Sequence, residues 1–393
     1  MTIKPASGTK DLNPQQVEEN QILLSQLSNI YKKWGYEEVS PPKVERIQTL
    51  IAGGGISTKD ILKIVADEPV GLRPEMTASI IRIASTRFSK KYRPLRLWAN
   101  GTVFKSRDEI DGKISIEESL QSSVELFGTE NMLIEVELLN LLLESLKSLN
   151  LNNSFTKRLL VGHSSLMNLI LSRYENKLQE KINKAFINFD LVEFNKLEIS
   201  SQEKNDLLSI QKLRGEPEEV LNQLSSIFGE NDTINTLKRL FNIIKPIGQK
   251  YNINIQLDPT YKPLFDLYTG IIFELVCEGT SAPVVIARGG RYDELVRKFG
   301  SQTHNHIGGG FAFYIDKIRE LNKYATFIKD TSQEKVLVAF SSNKSIEDAL
   351  EEQRKLHEQG HIAVLELSEC IDKTQAKSLL KKRKCEKLKW ISD

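Results

Sequence analysis

The chain has 393 residues, enough for about two to three domains and for a large core without covalent staples. Its 54 Lys and Arg nearly balance its 52 Asp and Glu, a formal charge of +2, which argues against a protein whose main task is gripping nucleic acid, though a local basic patch stays open. Three cysteines without a C-x-x-C pair exclude a disulfide framework and fit a reducing cytoplasm. The polar stretch Met1 to Pro14 is no signal peptide, and no segment approaches the ~18 apolar residues of a membrane span.

Neither an internal repeat nor a low-complexity tract occurs. Asn13-Pro14 predicts a helix start, with Asn13 as cap and Pro14 in the first position. Val17, Leu24, Leu27, Tyr31 and Trp34 then recur at helical spacing until Gly35. Glu37 to Val39 reads as a strand broken by Pro41-Pro42, and Gly53 to Gly55 as a loop. Gly71 to Thr77 leads into an apolar helix, Ala78 to Phe88. Leu95 to Phe104 and Ser123 to Phe127 read as an antiparallel pair joined by a long loop that includes polar Lys105 to Ser115. Leu133 to Leu149 is an amphipathic helix, Arg158 to Gly162 a short strand, and a further helix runs from Ser164. Residues 173–250 read as a helical insertion, broken at Gly215-Glu216-Pro217 and Gly229. Ile253 to Leu257, Gly270 to Val276, Pro283 to Ala287 and Gly308 to Phe313 are expected as central strands of an antiparallel sheet. Asp330 to Glu334 is a polar linker. Beyond it, strand Val336 to Phe340, helix Ser345 to Gln359, strand Ile362 to Leu367 and a lysine-rich end form a small α/β module. The expectation is an α+β chain with a core over 1–330 and a C-terminal module over 331–393.

Several segments could carry chemistry. Glu75 and Thr77 stand at a helix entrance, where a carboxylate and a hydroxyl can accept from an ammonium group; helix capping explains the same pair without a ligand. Gln121, Ser123 and Glu125 are spaced by two and share one face of a strand, whose other side, Ser122 and Val124, is not a strong core face. Gly289-Gly290 and Gly308-Gly309-Gly310 lie inside strands, where glycine marks a bulge or a close backbone approach. The triple glycine enters a strand, so it is no dinucleotide fingerprint, and neither a Walker A nor an H-E-x-x-H sequence occurs. His304 and His306 flank an asparagine in what reads as a solvated loop. No metal and no cofactor are expected.

In their order, these segments resemble the catalytic core of histidyl-tRNA synthetase, a class II aminoacyl-tRNA synthetase-like antiparallel sheet flanked by helices, over roughly residues 6–325. Gly35 to Pro42 looks like motif 1, Leu95 to Arg107 with Gln121 to Gly128 like motif 2, and Gly308 to Ile318 like motif 3. Asp258 to Tyr268 and Gly289 to Asp293 look like the two histidine-specific loops. The resemblance implies that Glu75, Thr77 and Gln121 hold an α-amino group, that Glu125 and Tyr268 bond the two imidazole nitrogens, and that Tyr292 lines the same pocket. Asp266 would support the site from behind, and Leu267 stands where the family has an aromatic residue.

The departures from that family lie where ATP is activated. Lys105 stands in place of the phosphate-gripping arginine of motif 2, with Arg107 two residues on in place of glutamate. Lys317, after Asp316, stands in place of the motif 3 arginine, and Pro263-Leu264 replaces the arginine of the histidine loop. Arginine binds phosphate through a planar fork, lysine is a point charge and proline carries none, so the adenylation chemistry is expected to be lost. A kept pocket with departing activation positions resembles the paralogue family of ATP phosphoribosyltransferase regulatory subunits. That resemblance implies a chain with no catalytic residues of its own. It would be a homodimer within a hetero-octamer with the short-form catalytic subunit, which joins ATP and phosphoribosyl pyrophosphate in the first step of histidine biosynthesis. Histidine would be the effector, in the retained pocket or at a subunit interface, in the cytoplasm, without membrane contact and without tRNA binding. The alternative is a functional histidyl-tRNA synthetase in which Lys105 and Lys317 do the work of arginine. A third reading, a tRNA-binding module using Lys381-Lys382-Arg383-Lys384, competes with that run being a solvated helix end.

Overall fold

The computed structural model describes residues 3–392 except 53–55, 109–111, 129–131, 153, 189–190, 262–267, 280–281, 301–305 and 322–334. The linker Asp330 to Glu334 and the glycines Gly53 to Gly55 therefore lie outside the described residues. The chain divides into two compact units, Met1–Ala325 and Thr326–Asp393.

The first unit opens with α1 (Pro14–Lys33), whose Asn13 cap and Gln16 bond reciprocally in a capping box. Then follow β1 (Glu37–Glu38), β2 (Val44–Arg46), α2 (Ile47–Ile51), β3 (Lys63–Ile64), β4 (Val70–Leu72) and α3 (Thr77–Ser85). Two long strands come next, β5 (Leu95–Asp108) and β6 (Ile114–Phe127), and then α4 (Leu133–Ser148) and β7 (Thr156–His163). Helix α5 (Ser164–Leu171) is the one expected from Ser164, and α6 (Asn176–Asn188), α7 (Leu191–Asn195), α8 (Ser201–Lys212), α9 (Pro217–Phe228) and α10 (Asp232–Lys250) fill the span expected as an insertion. The unit closes with β8 (Ile253–Leu257), β9 (Ile271–Glu278), β10 (Val284–Arg291), α11 (Asp293–Lys298), β11 (Gly308–Tyr314) and α12 (Ile315–Leu321).

Eight strands form one sheet in the order β1-β5-β6-β11-β10-β9-β7-β8. The neighbours from β5 to β7 pair antiparallel, whereas β1 joins β5 and β8 joins β7 in parallel. Ile253 to Leu257, expected among the central strands, is thus a parallel edge strand. The helices α5 to α10 supply the long crossover that a parallel pair requires.

The loop expected between the motif 2 strands is mostly ladder. Lys105 pairs with Glu117 and Arg107 with Ser115, and the Arg107 guanidinium donates to Glu117 at 2.6 Å. On the β5 side of this outer ribbon, Lys105 to Asp108 are polar at every position, which erases the alternation that marks a strand in sequence. The far side of β6 also differs from expectation. Ser122 and Val124 are fully buried, and the Ser122 hydroxyl donates to the Tyr31 hydroxyl at 3.2 Å.

Side chains on the two faces of the sheet build separate cores. On one, Tyr31 of α1 meets Trp98 at 5.8 Å between ring centroids, and Phe311 meets Phe313 at 5.7 Å. On the other, Met76, Ile80 and Ile81 at α3 pack with Leu97, Ala99, Tyr292 and Leu295. Arg73 locks α3's approach to that face: it is 2% exposed, and its guanidinium donates to the carbonyls of Pro41 at 2.8 Å and Thr102 at 3.1 Å. Arg73→Met strands those acceptors and is expected to lower stability by about 3 kcal/mol. Urea denaturation measures this, and a loss under about 1 kcal/mol would mean that water replaces the guanidinium.

The second unit is a three-stranded parallel sheet, β12 (Lys335–Phe340), β13 (Ile362–Leu365) and β14 (Lys387–Ile391), in the order β13-β12-β14. Helices α13 (Ile346–Glu358) and α14 (Lys373–Arg383) connect the strands. The basic run Lys381 to Lys384 ends α14, with Lys384 in the left-handed region at φ 54°. Lysines there favour the helix's negative end. The strand after it was hidden because Lys387 and Lys389 alternate with Leu388 and Trp390 in a segment that composition marks as merely basic.

Candidate functional site: an amino-acid-sized pocket on the sheet

Strand pairing builds the floor of a pocket. β6 presents Gln121, Ser123 and Glu125 on one face, and β11 sets Tyr314, Ala312 and Gly310 opposite them. β10 continues the rows, with Arg288 beside Ala312 and Gly290 beside Gly310. The glycines make the room. A Cβ at position 310 would land on the Glu125 carboxylate and the Val124 carbonyl oxygen, and one at 290 would lie 2.5 Å from the Tyr268 ring.

The N-terminus of α3 forms the opposite wall. The Thr77 hydroxyl donates to Glu125 Oε1 at 2.7 Å. The backbone N–H groups of Thr77 and Ala78 donate to the two oxygens of Glu75, the latter at 3.0 Å. Glu75 therefore caps the helix, as the plain structural reading expects, and lines the cavity as well. Each carboxylate oxygen keeps a lone pair for a ligand.

Glu75, Thr77, Gln121, Tyr268 and Tyr292 line one cavity. Glu125 lies at its base, 1% exposed, bonded to Thr77. Glu125 Oε2 and the Tyr292 hydroxyl are buried with no hydrogen-bond partner among the described residues. Burial pushes Glu125 well above the usual carboxylate range, the Glu75 charge adds to that, and only the Thr77 hydroxyl opposes it. Glu75 is also raised by burial, against the helix N–H of Ala78, the Thr77 bonds and the charge of Lys105. Burial raises the Tyr268 hydroxyl too, so it stays a neutral phenol. An unpartnered acceptor, a phenol and two carboxyls largely withdrawn from solvent suit a small cation that also carries ring N–H groups.

Of the three activation positions, Lys105 lines this cavity and also an adjoining one. Lys317 lines the adjoining cavity with Arg107. Asp316, before it, accepts from the Leu120 N–H at 2.7 Å and pairs with Arg319 at 3.1 Å, so it ties α12 to the sheet. Pro263 lies outside the described residues, as do Leu264, Asp266, Leu267 and His304. Sequence reading missed two polar lining residues, Arg288 and Tyr314. Their signal was the strand alternation, since each sits an even number of residues from a site glycine, Gly290 or Gly310. Among the described residues no group of His, Cys, Asp and Glu could hold a metal, and no helix is long and apolar enough to cross a membrane.

The histidyl-tRNA synthetase family model matches residues 8–318. The ATP phosphoribosyltransferase regulatory subunit of Prochlorococcus marinus strain MIT 9211 is 58% identical over 386 residues, covering 98% of each chain. That of Synechococcus sp. strain CC9902 is 48% identical over the full length of both. Among solved structures, the ATP phosphoribosyltransferase regulatory subunit/histidyl-tRNA synthetase from Bacillus halodurans C gives a TM-score of 0.80 at 22% identity, covering 99% of this chain and 98% of that one. Histidyl-tRNA synthetase from Nostoc sp. PCC 7120 gives 0.77 at 16% identity, covering 98% and 90%. At such identities these two structures speak for the fold alone.

Proposed function

Because the chain belongs to the histidyl-tRNA synthetase family and, within it, to the ATP phosphoribosyltransferase regulatory subunits, we propose that its pocket senses histidine on behalf of a separate catalytic chain. The chain is a regulatory subunit acting in the first step of histidine biosynthesis. Its partner is the short-form catalytic subunit, a glycosyltransferase that carries out the chemistry, and the two assemble in the cytoplasm as a hetero-octamer around homodimers of this chain.

The observation that carries the histidine reading is the buried, unpartnered oxygen of Glu125, against Thr77 and Gly310, which line one cavity with Tyr268 and Glu75. An imidazole donates to the carboxylate from one nitrogen and meets the phenol with the other, while an ammonium group bonds Glu75, Thr77 and Gln121. Lys105 and Lys317 leave positive charge beside the pocket without a guanidinium fork at either position, which favours holding the amino acid over activating it. Feedback then requires histidine to bind the inhibited assembly more tightly than the active one.

Mixing the purified chain with a short-form catalytic subunit tests this. ATP phosphoribosyl transfer should rise on mixing and fall again when histidine is added. In parallel, the chain alone should show no histidine-dependent exchange of pyrophosphate into ATP. Robust exchange would overturn the regulatory reading in favour of a working ligase.

A further inference from the structure

The pocket separates its charges. Two carboxyls, half-buried Glu75 and buried Glu125, stand toward α3. The wall shared with the adjoining cavity consists instead of Lys105, Gln121, Arg288 and Tyr314. Arg288 extends the row of Ser123 and Ala312 on the same sheet face. Its cross-strand partner on β9 is Glu274, and the two side chains form an ion pair through Arg288 Nη2. Tyr261 hydrogen-bonds the same glutamate, so that carboxylate is held from two sides. Arg288 Nε is buried and has no hydrogen-bond partner among the described residues. A guanidinium anchored by one nitrogen, with a buried N–H left over beside a cavity, is a donor waiting for an acceptor.

This inference rests on the reading that histidine occupies the pocket. With its ammonium at Glu75 and its imidazole at Glu125 and Tyr268, the amino acid has one charged group left, the α-carboxylate. The acidic side repels it and the shared wall attracts it. We propose that Arg288 receives that carboxylate, so that the site reads the free amino acid and rejects forms in which the carboxylate is reduced, amidated or esterified. The planar fork suits this better than Lys105, a point charge on a longer, freer stem. Arg288 is thus a specificity-determining residue of the sensor.

Calorimetric titration of the full chain with histidine and with histidinol, where CH2OH replaces the carboxylate, tests the assignment. The wild-type chain should bind histidine about 10–100-fold more tightly than histidinol. Arg288→Gln should bring that ratio to within about threefold while histidinol affinity holds, and Arg288→Lys should fall between. Both ligands are compared in one protein, so a partly unfolded variant shifts both arms equally and leaves the ratio meaningful. A wild-type chain without preference, a ratio that survives Arg288→Gln, or a collapse on Lys105→Gln alone would each overturn the assignment. If neither ligand binds the wild-type chain, the occupancy reading itself falls, an outcome distinct from histidinol binding as well as histidine does.

Discussion

Glu125→Gln is expected to weaken histidine binding by about 10–100-fold, because it removes the charge-assisted bond at the base of the pocket while keeping the side chain's shape. The same change should make the empty protein less sensitive to pH. Burial, with the Glu75 charge adding to it, raises Glu125 well above the usual carboxylate range in the folded chain. Above that usual range the unfolded chain has released its proton and the folded chain has not. Stability is therefore lost as pH rises through the window between the ordinary carboxylate value and the raised one. This is the reverse of a salt-bridged acid. Glutamine does not titrate, so the variant should show a flatter profile and greater stability than wild type on the alkaline side. Urea denaturation across that window and a histidine titration read the two effects separately. Unchanged histidine affinity would move the effector to another place, a subunit interface first. An unchanged pH slope would mean that Glu125 is ionised in the empty pocket.

Gly310→Ala should damage the site more broadly. The added methyl meets the Glu125 carboxylate, which can rotate, and the Val124 carbonyl, which cannot because β6 is paired on both sides. Strand β11 must then move away from β6, and the cavity above Glu125 deforms. We expect a loss of about 1–3 kcal/mol in stability, typical of overpacking, together with loss of the histidine response. The urea midpoint and feedback inhibition of the reconstituted complex check this. Normal feedback with less than about 0.5 kcal/mol of destabilisation would show that the strands separate without cost, and the glycine would then need another explanation.

Most of the site was legible in the sequence because its residues are marked by local patterns. Glu75 and Thr77 stand at a helix start, Gln121 and Glu125 on a strand alternation, and Gly310 in a run of glycine that enters a strand. What escaped depends on register between segments far apart in the chain. Arg288 belongs to the pocket only because β10 pairs with β11 so that Arg288 faces Ala312, and β11 with β6 so that Ala312 faces Ser123. Alternation from Gly290 sets the side of β10 on which Arg288 stands, but no local signal carries the offsets between strands. The extent of the β5–β6 ribbon was hidden for another reason, since Lys105 to Asp108 are polar at every position and carry no alternation. The burial of Ser122 was missed because a serine adds nothing to an apolar pattern, though here it is met by Tyr31. The parallel place of β8 follows from a helical crossover whose end point only tertiary packing decides.

The two hydrogen bonds that Glu75 accepts from the start of α3 constrain how this family can drift. A lineage that stopped recognising amino acids would feel no pressure to keep an ammonium acceptor, yet α3 would still need something to satisfy the N–H groups of Thr77 and Ala78. Loss of such a cap costs about 1 kcal/mol, enough for selection to hold the glutamate in place after its ligand has gone. A glutamate at this position in a relative is therefore weak testimony of binding. Glu125, whose free oxygen serves no helix, is the better witness.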